Sequence, residues 1–223
     1  MIDEIIFKLE KYFMPLIFPS IFDTLKMLII TMILATIFGF AIGTVLILTR
    51  NGGLHSNPIV FNTINFCVDF IRSFPIMILI VALLPLTKII MGTSIGVRGA
   101  IFPLTITATP FMARIFQNAM MEVDPQLIEA AQSFGASNRQ IIFKVILREA
   151  IPSIVSGTTL ATVTYLSATT IAGAIGAGGL GSVAMNYGYN RFDKIILYTA
   201  VIILCILVQL IQLIGNSLSL IHI

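Results

Sequence analysis

The chain has 223 residues, of which 57% are hydrophobic and only 10% charged, with a formal net charge of +3. Soluble domains carry about 25% charged residues, so this composition excludes a water-soluble globule, a disordered chain and a nucleic-acid binder. What remains is a polytopic membrane protein whose surplus Lys and Arg read as membrane-flanking residues.

At the N-terminus, Asp3, Glu4, Lys8, Glu10 and Lys11 alternate with Ile2, Ile5, Ile6 and Leu9, an amphipathic helical pattern rather than the basic start of a signal peptide. We therefore read residues 1–19 as an amphipathic segment, 20–217 as the membrane domain and 218–223 as a tail. A helix crossing hydrocarbon of about 30 Å needs about 20 residues. The first span is placed at 25–49, where no charge occurs from Met27 to Thr49. Gly39 and Gly43 form a GxxxG pair, which fits close helix approach and the general glycine tolerance of membrane helices equally.

The second span, 62–87, starts upstream of Ser73. Asp69 and Arg72 share one helical face, with Arg72 at the membrane edge. The third, 99–121, holds Pro103, Pro110 and Arg114 and is expected to be a bent helix inside a bundle. The fourth, 154–178, is rich in Ser, Thr, Gly and Ala, which suits a protein-facing or cavity-facing helix. The fifth, 195–217, is uncharged, with Gln209 and Gln212 expected to face protein. The predicted fold is all-α with five transmembrane helices. Lys8, Lys11, Lys26, Lys88, Arg98, Arg191 and Lys194 fall on one side, and Arg50, Arg72, Arg114, Arg139, Lys144 and Arg148 on the other, so positive charge decides no orientation.

One sizeable polar connection, 122–152, separates spans three and four. Asp124 suits an N-cap and Pro125 the first helical position, so a helix is expected over Gln126–Phe134, ended by Gly135. Ser137 and Gln140 read as a capping box opening a second helix, Asn138–Ala150, with Pro152 at the entry to span four. On the first helix Leu127, Ile128, Ala131 and Phe134 form an apolar stripe. Ala130 and Ala131 leave room for another surface, and Glu129 adds one charge for register. So short a helix needs a partner, either another protein or its own bundle.

Several motifs carry no chemistry. Gly176–Gly181 spells GxGxxG, but it closes an apolar helix and Asp193 follows too soon to be a ribose ligand, so the dinucleotide reading is rejected. No GxxxxGK[ST] occurs, so this chain cannot cradle ATP in a P-loop. His55 and His222 are isolated, and Cys67 and Cys205 read as packing residues, so no metal site or catalytic constellation is predicted and the chain is not read as an enzyme.

Glu129-Ala130-Ala131, Gly135 and then Ile151-Pro152 resemble the EAA motif of ABC-importer permeases, whose pattern is EAA, three residues, Gly, nine residues, Ile-x-Leu-Pro. The EAA and Gly match. The end departs, reading Leu-Arg-Glu-Ala-Ile-Pro from Leu147 to Pro152. Nearly the whole chain further resembles the permeases of methionine importers, through Ile71-Arg72-Ser73-Phe74-Pro75, Gly92-Thr93-Ser94-Ile95-Gly96, Pro110-Phe111-Met112-Ala113-Arg114, Gly176–Gly181 and Tyr187-Gly188-Tyr189.

That resemblance implies a type I ABC importer permease acting as a homodimer in the cytoplasmic membrane, N-terminus outside and C-terminus inside. It further implies two partner ATPase subunits that bind ATP and Mg, an extracytoplasmic methionine-binding protein, and no cofactor in this chain. The ATPase-coupling residues would be Leu127, Ile128, Glu129, Ala130, Ala131, Phe134 and Gly135. Thr159, Thr162, Tyr165, Ser167 and Thr170 are candidates for the translocation pathway, although close helix packing explains that composition equally well. The same machine could carry another amino acid or small solute. An ATP-independent carrier would show internal repeats and a mid-membrane acid, and neither is evident.

Overall fold

The computed structural model describes residues 10–221, and the amphipathic pattern of residues 1–9 lies outside them. All elements among the described residues are helical. Four helices are long and apolar enough to cross a membrane, and a fifth span results if one broken pair is counted together. These are α1 (Glu10–Thr49), the pair α2 (Pro58–Arg72) and α3 (Ile76–Met91), α4 (Gly96–Met121), α7 (Ile151–Ala172) and α9 (Lys194–Ile221).

The predicted bounds change in several places. α1 runs without a break from Glu10, through a π-helical turn at Phe13–Ile17, so no break in the described helix falls at residue 19. A hydropathy reading stops at the charges of Asp23 and Lys26, whereas the backbone stays helical through them. Span two is two helices, because Phe74 precedes Pro75, which biases it away from helical geometry, and Pro75 has no N–H to continue the ladder. The last π-helical turn of span four, Gly173–Ala177, contains Ile175 and Gly176 in non-helical conformations. α9 continues to Ile221, so the supposed tail is helical there. α4 is the most buried of the four long helices, at 61% of its apolar window, as its prolines and small residues imply. Gln209, Gln212, Cys67 and Cys205 are exposed on the chain rather than packed inside it.

The described residues divide into two compact units. The first takes residues 10–34, 74–108 and 162–211. Its core cluster of Ile17, Leu180, Val183 and Ile196 is covered by Leu16, Ile21 and Leu204. Here Thr24 of α1, 1% exposed, accepts the N–H of Leu180 through Oγ1 at 2.9 Å, at the start of the short helix α8 (Gly179–Val183). A Cβ on Gly179 would meet that same oxygen at 2.6 Å, and one on Gly181 would overlap the backbone of Thr170. The GxGxxG sequence is thus a turn of tightly packed backbones.

The second unit takes residues 35–73, 109–161 and 212–221. α1 and α4 meet through glycine: a Cβ on Gly39 would lie 2.5 Å from Met112 Cβ, and one on Gly43 would lie 2.7 Å from the Ala113 carbonyl oxygen. The GxxxG pair is therefore a contact between these two helices. At the end of α1 the chain folds back on itself. The N–H groups of Arg50, His55 and Asn57 donate to the carbonyls of Leu46, Leu48 and Thr49, satisfying groups that a helix end leaves open. Asn57 then caps α2 by accepting the Val60 N–H, with Pro58 at the first helical position.

Candidate functional site

The polar connection lies within the second unit and forms a hairpin of two helices. α5 (Pro125–Ser133) is capped by Asp124, whose Oδ1 accepts the Gln126 N–H at 2.9 Å. It stops at Gly135, φ +75°, where Ala136 N–H donates to Ala131 O and Gly135 N–H to Gln132 O. These are the two bonds of a Schellman ending, and the left-handed residue it requires is least costly as Gly. The capping box forms: Ser137 Oγ accepts the Gln140 N–H, and Gln140 Oε1 accepts the Ser137 N–H at 2.8 Å. Asn138–Gln140, a π-helical turn over Ile141–Ile146 and Leu147–Glu149 follow without a gap, and we call them α6. Only Ala150 separates α6 from α7. The π-helical turn was not visible in the residue pattern, and Pro152 lies inside the first turn of α7 rather than before it.

α6 is anchored through Ile141, Ile142 and Ile146, all buried, and Ser153 Oγ donates to Glu122 Oε2 at 2.6 Å across the base of the hairpin. α5 is different, for it has no buried residue at all. Ile128 and Ala131 are half-buried, while Leu127, Glu129, Ala130 and Phe134 are exposed. The predicted stripe therefore splits. Ile128 and Ala131 turn toward the chain's own helices, and Leu127, Ala130 and Phe134, spaced three and four apart, make an outward apolar face. Phe134 is 91% exposed. Beside α5 lies a cleft of about 350 Å³ lined by Arg50, Gly53, Ile128, Glu129, Gln132 and Asn138, among others. Its rim is tied by His55 Nε2 and Asn138 Nδ2, 3.1 Å apart.

A charged cluster stands in the same unit. Arg114 Nη2 donates to Asp69 Oδ1 and to Asn65 Oδ1, each at 2.7 Å, and Nη1 donates to Gln117 Oε1 at 2.6 Å. Arg72 approaches the same Asp69 oxygen at 3.8 Å. Asp69 thus bridges two guanidinium groups, of which Arg114 is the closer.

Residues 46–219 match the family described as "Binding-protein-dependent transport system inner membrane component". The chain belongs to that family. Among its relatives, a probable D-methionine transport system permease protein MetI of Vibrio cholerae is 43% identical over 91% of this chain and 90% of its own length. The methionine import system permease protein MetP of Bacillus subtilis is 41% identical over 78% of each chain. The fold matches a chain from the inward-facing MetNI methionine ABC transporter with a TM-score of 0.92 and 37% identity, covering 95% of this chain and 98% of that one.

At the expected spacing this inner-membrane component carries Leu147 where the EAA ending has Leu and Arg148 where it has Pro. Nine residues beyond Gly135 bring the closing positions of the motif to Val145–Arg148, within α6, and Pro152 lies four residues further on. Of the pathway candidates, Thr159 lies in the second unit and the other four in the first. Thr159 Oγ1 donates to Val155 O, and its side chain fills the space a Cβ on Gly215 would need. Thr170 is packed by its backbone against Gly181, and Tyr165 is 4% exposed. Thr162 is half-buried and Ser167 is exposed. Sequence reasoning did not predict the turn over residues 50–57. Its signals were Gly52-Gly53 and Asn57-Pro58, which mark a helix end and a helix start.

Proposed function

We propose that this chain is the membrane permease of an ATP-driven importer of methionine, in both L- and D-forms. The observation that carries this reading is the 43% identity, over nine-tenths of both chains, to a permease named for D-methionine transport. The likeness to the MetNI chain supports it over the full fold.

In this reading two copies of the chain form the pathway, and two ATPase subunits holding ATP and Mg bind the face that carries α5. A binding protein delivers methionine on the opposite side, with the N-terminus outside and the C-terminus inside. The apolar face of Leu127, Ala130 and Phe134 enters a groove of the ATPase, and Glu129 sets the register. Ile128 and Ala131 seat α5 on its own chain, and Gly135 fixes where it ends. ATP-driven closure of the ATPases displaces α5, and the displacement reaches α7 through α6, which joins it across a single residue. Only Ser167, the exposed member of the five, is retained as a pathway residue. Thr159 is assigned to helix packing, because its side chain occupies the contact with Gly215.

The test is uptake of labelled methionine into proteoliposomes containing the chain, its ATPase and its binding protein. Accumulation that requires ATP and both partners is expected. ATP-dependent uptake of another solute would keep the machine and replace the cargo, whereas flux without the ATPase would overturn the reading.

A further inference from the structure

α2 carries a polar stripe. Asn62, Asn65, Asp69 and Arg72 recur every three or four residues, so they share one flank of the helix. Asn62, Asp69 and Arg72 are exposed, and Asn65 is half-buried. The far end of the stripe lies deep. The Arg72 guanidinium stands 6.0 Å from the ring centroid of Phe111, the sixteenth of the 26 residues of α4. Arg72 is therefore level with the middle of a spanning helix rather than at the membrane edge. Its side chain is 39% exposed and that of Asp69 51%. Charges at that depth are costly against lipid, and they occur where they face a water-filled cavity or the interior of a bundle.

The two charges are not equally engaged. Asp69 Oδ1 accepts from Arg114 at 2.7 Å, and Oδ2 accepts from Asn65 Nδ2 at 3.1 Å. Arg72 reaches Asp69 only at 3.8 Å, beyond hydrogen-bond length. Two guanidinium groups thus share one carboxylate, and the cluster keeps a net positive charge.

We propose that Arg72 and Asp69 form a holding site in the pathway for the zwitterionic head of an α-amino acid. Arg72 donates two parallel N–H bonds to the solute carboxylate. Asp69 accepts from the solute ammonium group, for which a carboxylate has lone pairs to spare. An α-amino acid carries both charges on one carbon, and Arg72 and Asp69 present the complementary pair 3.8 Å apart. A phospholipid phosphate is also an anion, but it lies at the membrane surface, half a bilayer from this level. Contacts to the head group alone leave the configuration at Cα unread, so L- and D-forms are held alike. This proposal rests on the import reading above and adds where the solute is held.

The first experiment tests for water. Arg72→Cys, combined with Cys67→Ser and Cys205→Ser, is assembled with the ATPase in liposomes and treated on both sides with a charged, membrane-impermeant thiol reagent. Labelling is expected. Labelling only after denaturation would put Arg72 against lipid or protein and overturn the proposal. Asn62→Cys, on the same stripe and outside the ion cluster, repeats the test if Arg72→Cys fails to assemble.

The second experiment tests for the ligand, with methionine at millimolar concentration as the probe. Saturation-transfer NMR is recorded on the full chain in nanodiscs, without ATPase or binding protein. Equal transfer to L- and D-methionine is expected, falling about tenfold or more with Arg72→Gln and recovering in part with Arg72→Lys. Methionine amide, which lacks the carboxylate, should show the same loss. No transfer at all, equal transfer with Arg72→Gln, or equal transfer to the amide would overturn the site. Transfer lost only in nanodiscs of anionic lipid would assign Arg72 to a lipid phosphate instead. If the assembled complex took up no methionine, the functional reading would fall while this measurement still judged the site.

Discussion

Arg114 and Asp69 stand 45 residues apart in sequence and 2.7 Å apart in the structure. With Asn65 and Gln117 they tie α2 to α4, and Arg72 adds a second positive charge to the same carboxylate at 3.8 Å. Arg114 is the anchor of this cluster, since its side chain is 16% exposed whereas Asp69 is 51% exposed. Arg114→Met should therefore destabilise the chain by about 2–3 kcal/mol, because it leaves three partners unmet at once. Asp69→Asn should cost about 1 kcal/mol, since the amide oxygen still accepts and the site is half in solvent. Thermal unfolding of the purified complex decides this, and equal effects of the two variants would contradict the assignment.

In the proposed reading Phe134 serves binding rather than folding. At 91% exposure it has almost no packing to lose, so Phe134→Ala should leave the melting temperature of the isolated chain unchanged. ATPase affinity should fall about tenfold or more, as for an aromatic anchor removed from an interface. Leu127→Ala should act in the same direction and less strongly. Pull-down of the ATPase by each variant measures the difference.

Gly135 is open to substitution in space and closed to it in conformation. Nothing lies within 4 Å of a Cβ placed there, but φ is +75°. Gly135→Asn should retain most uptake, because Asn accepts left-handed geometry, whereas Gly135→Val should lose the Schellman ending and with it coupling. Both variants should still insert, which surface labelling can confirm. Equal uptake by the two would show that the conformation is not required.

Gly39 and Gly43 fail for the opposite reason, because they lack space. Gly39→Ala places a methyl 2.5 Å from Met112 Cβ and 3.0 Å from the Ala113 nitrogen, so the two backbones must separate. The expected cost is about 1–3 kcal/mol. Met112→Ala keeps the Cβ that the new methyl meets, so adding it should recover nothing; recovery would place the clash further out along the Met112 side chain.

The hairpin was legible because its signals are local. Asp124, Pro125, Gly135, Ser137 and Gln140 each act within five residues of chain, so their types at those spacings fix two helices and the turn between them. Which side of α5 would face outward was not legible, since Leu127, Ile128, Ala131 and Phe134 are equally apolar and only the position of α6 separates them. Arg114 gave no sign that its partner was Asp69 rather than water, because no local rule reaches across 45 residues. The same limit hid Thr24 and Leu180, 156 residues apart. That the Thr159 side chain packs against Gly215 was not legible either, because small polar residues suit a cavity wall and a glycine contact alike and Gly215 lies elsewhere in the chain.

The fold-back of residues 50–57 has a consequence for how this protein can change over evolutionary time. Surface loops usually tolerate extra residues at little cost. This one does not have that freedom, because the amides of His55 and Asn57 must reach the carbonyls of Leu48 and Thr49 from fixed distances along the chain. An inserted residue would move both donors off register, uncapping α1 and shifting Asn57 away from the start of α2. Between these two helices the number of residues is constrained more tightly than their identity, and an epitope tag placed there would be expected to cost more than any single substitution in the turn.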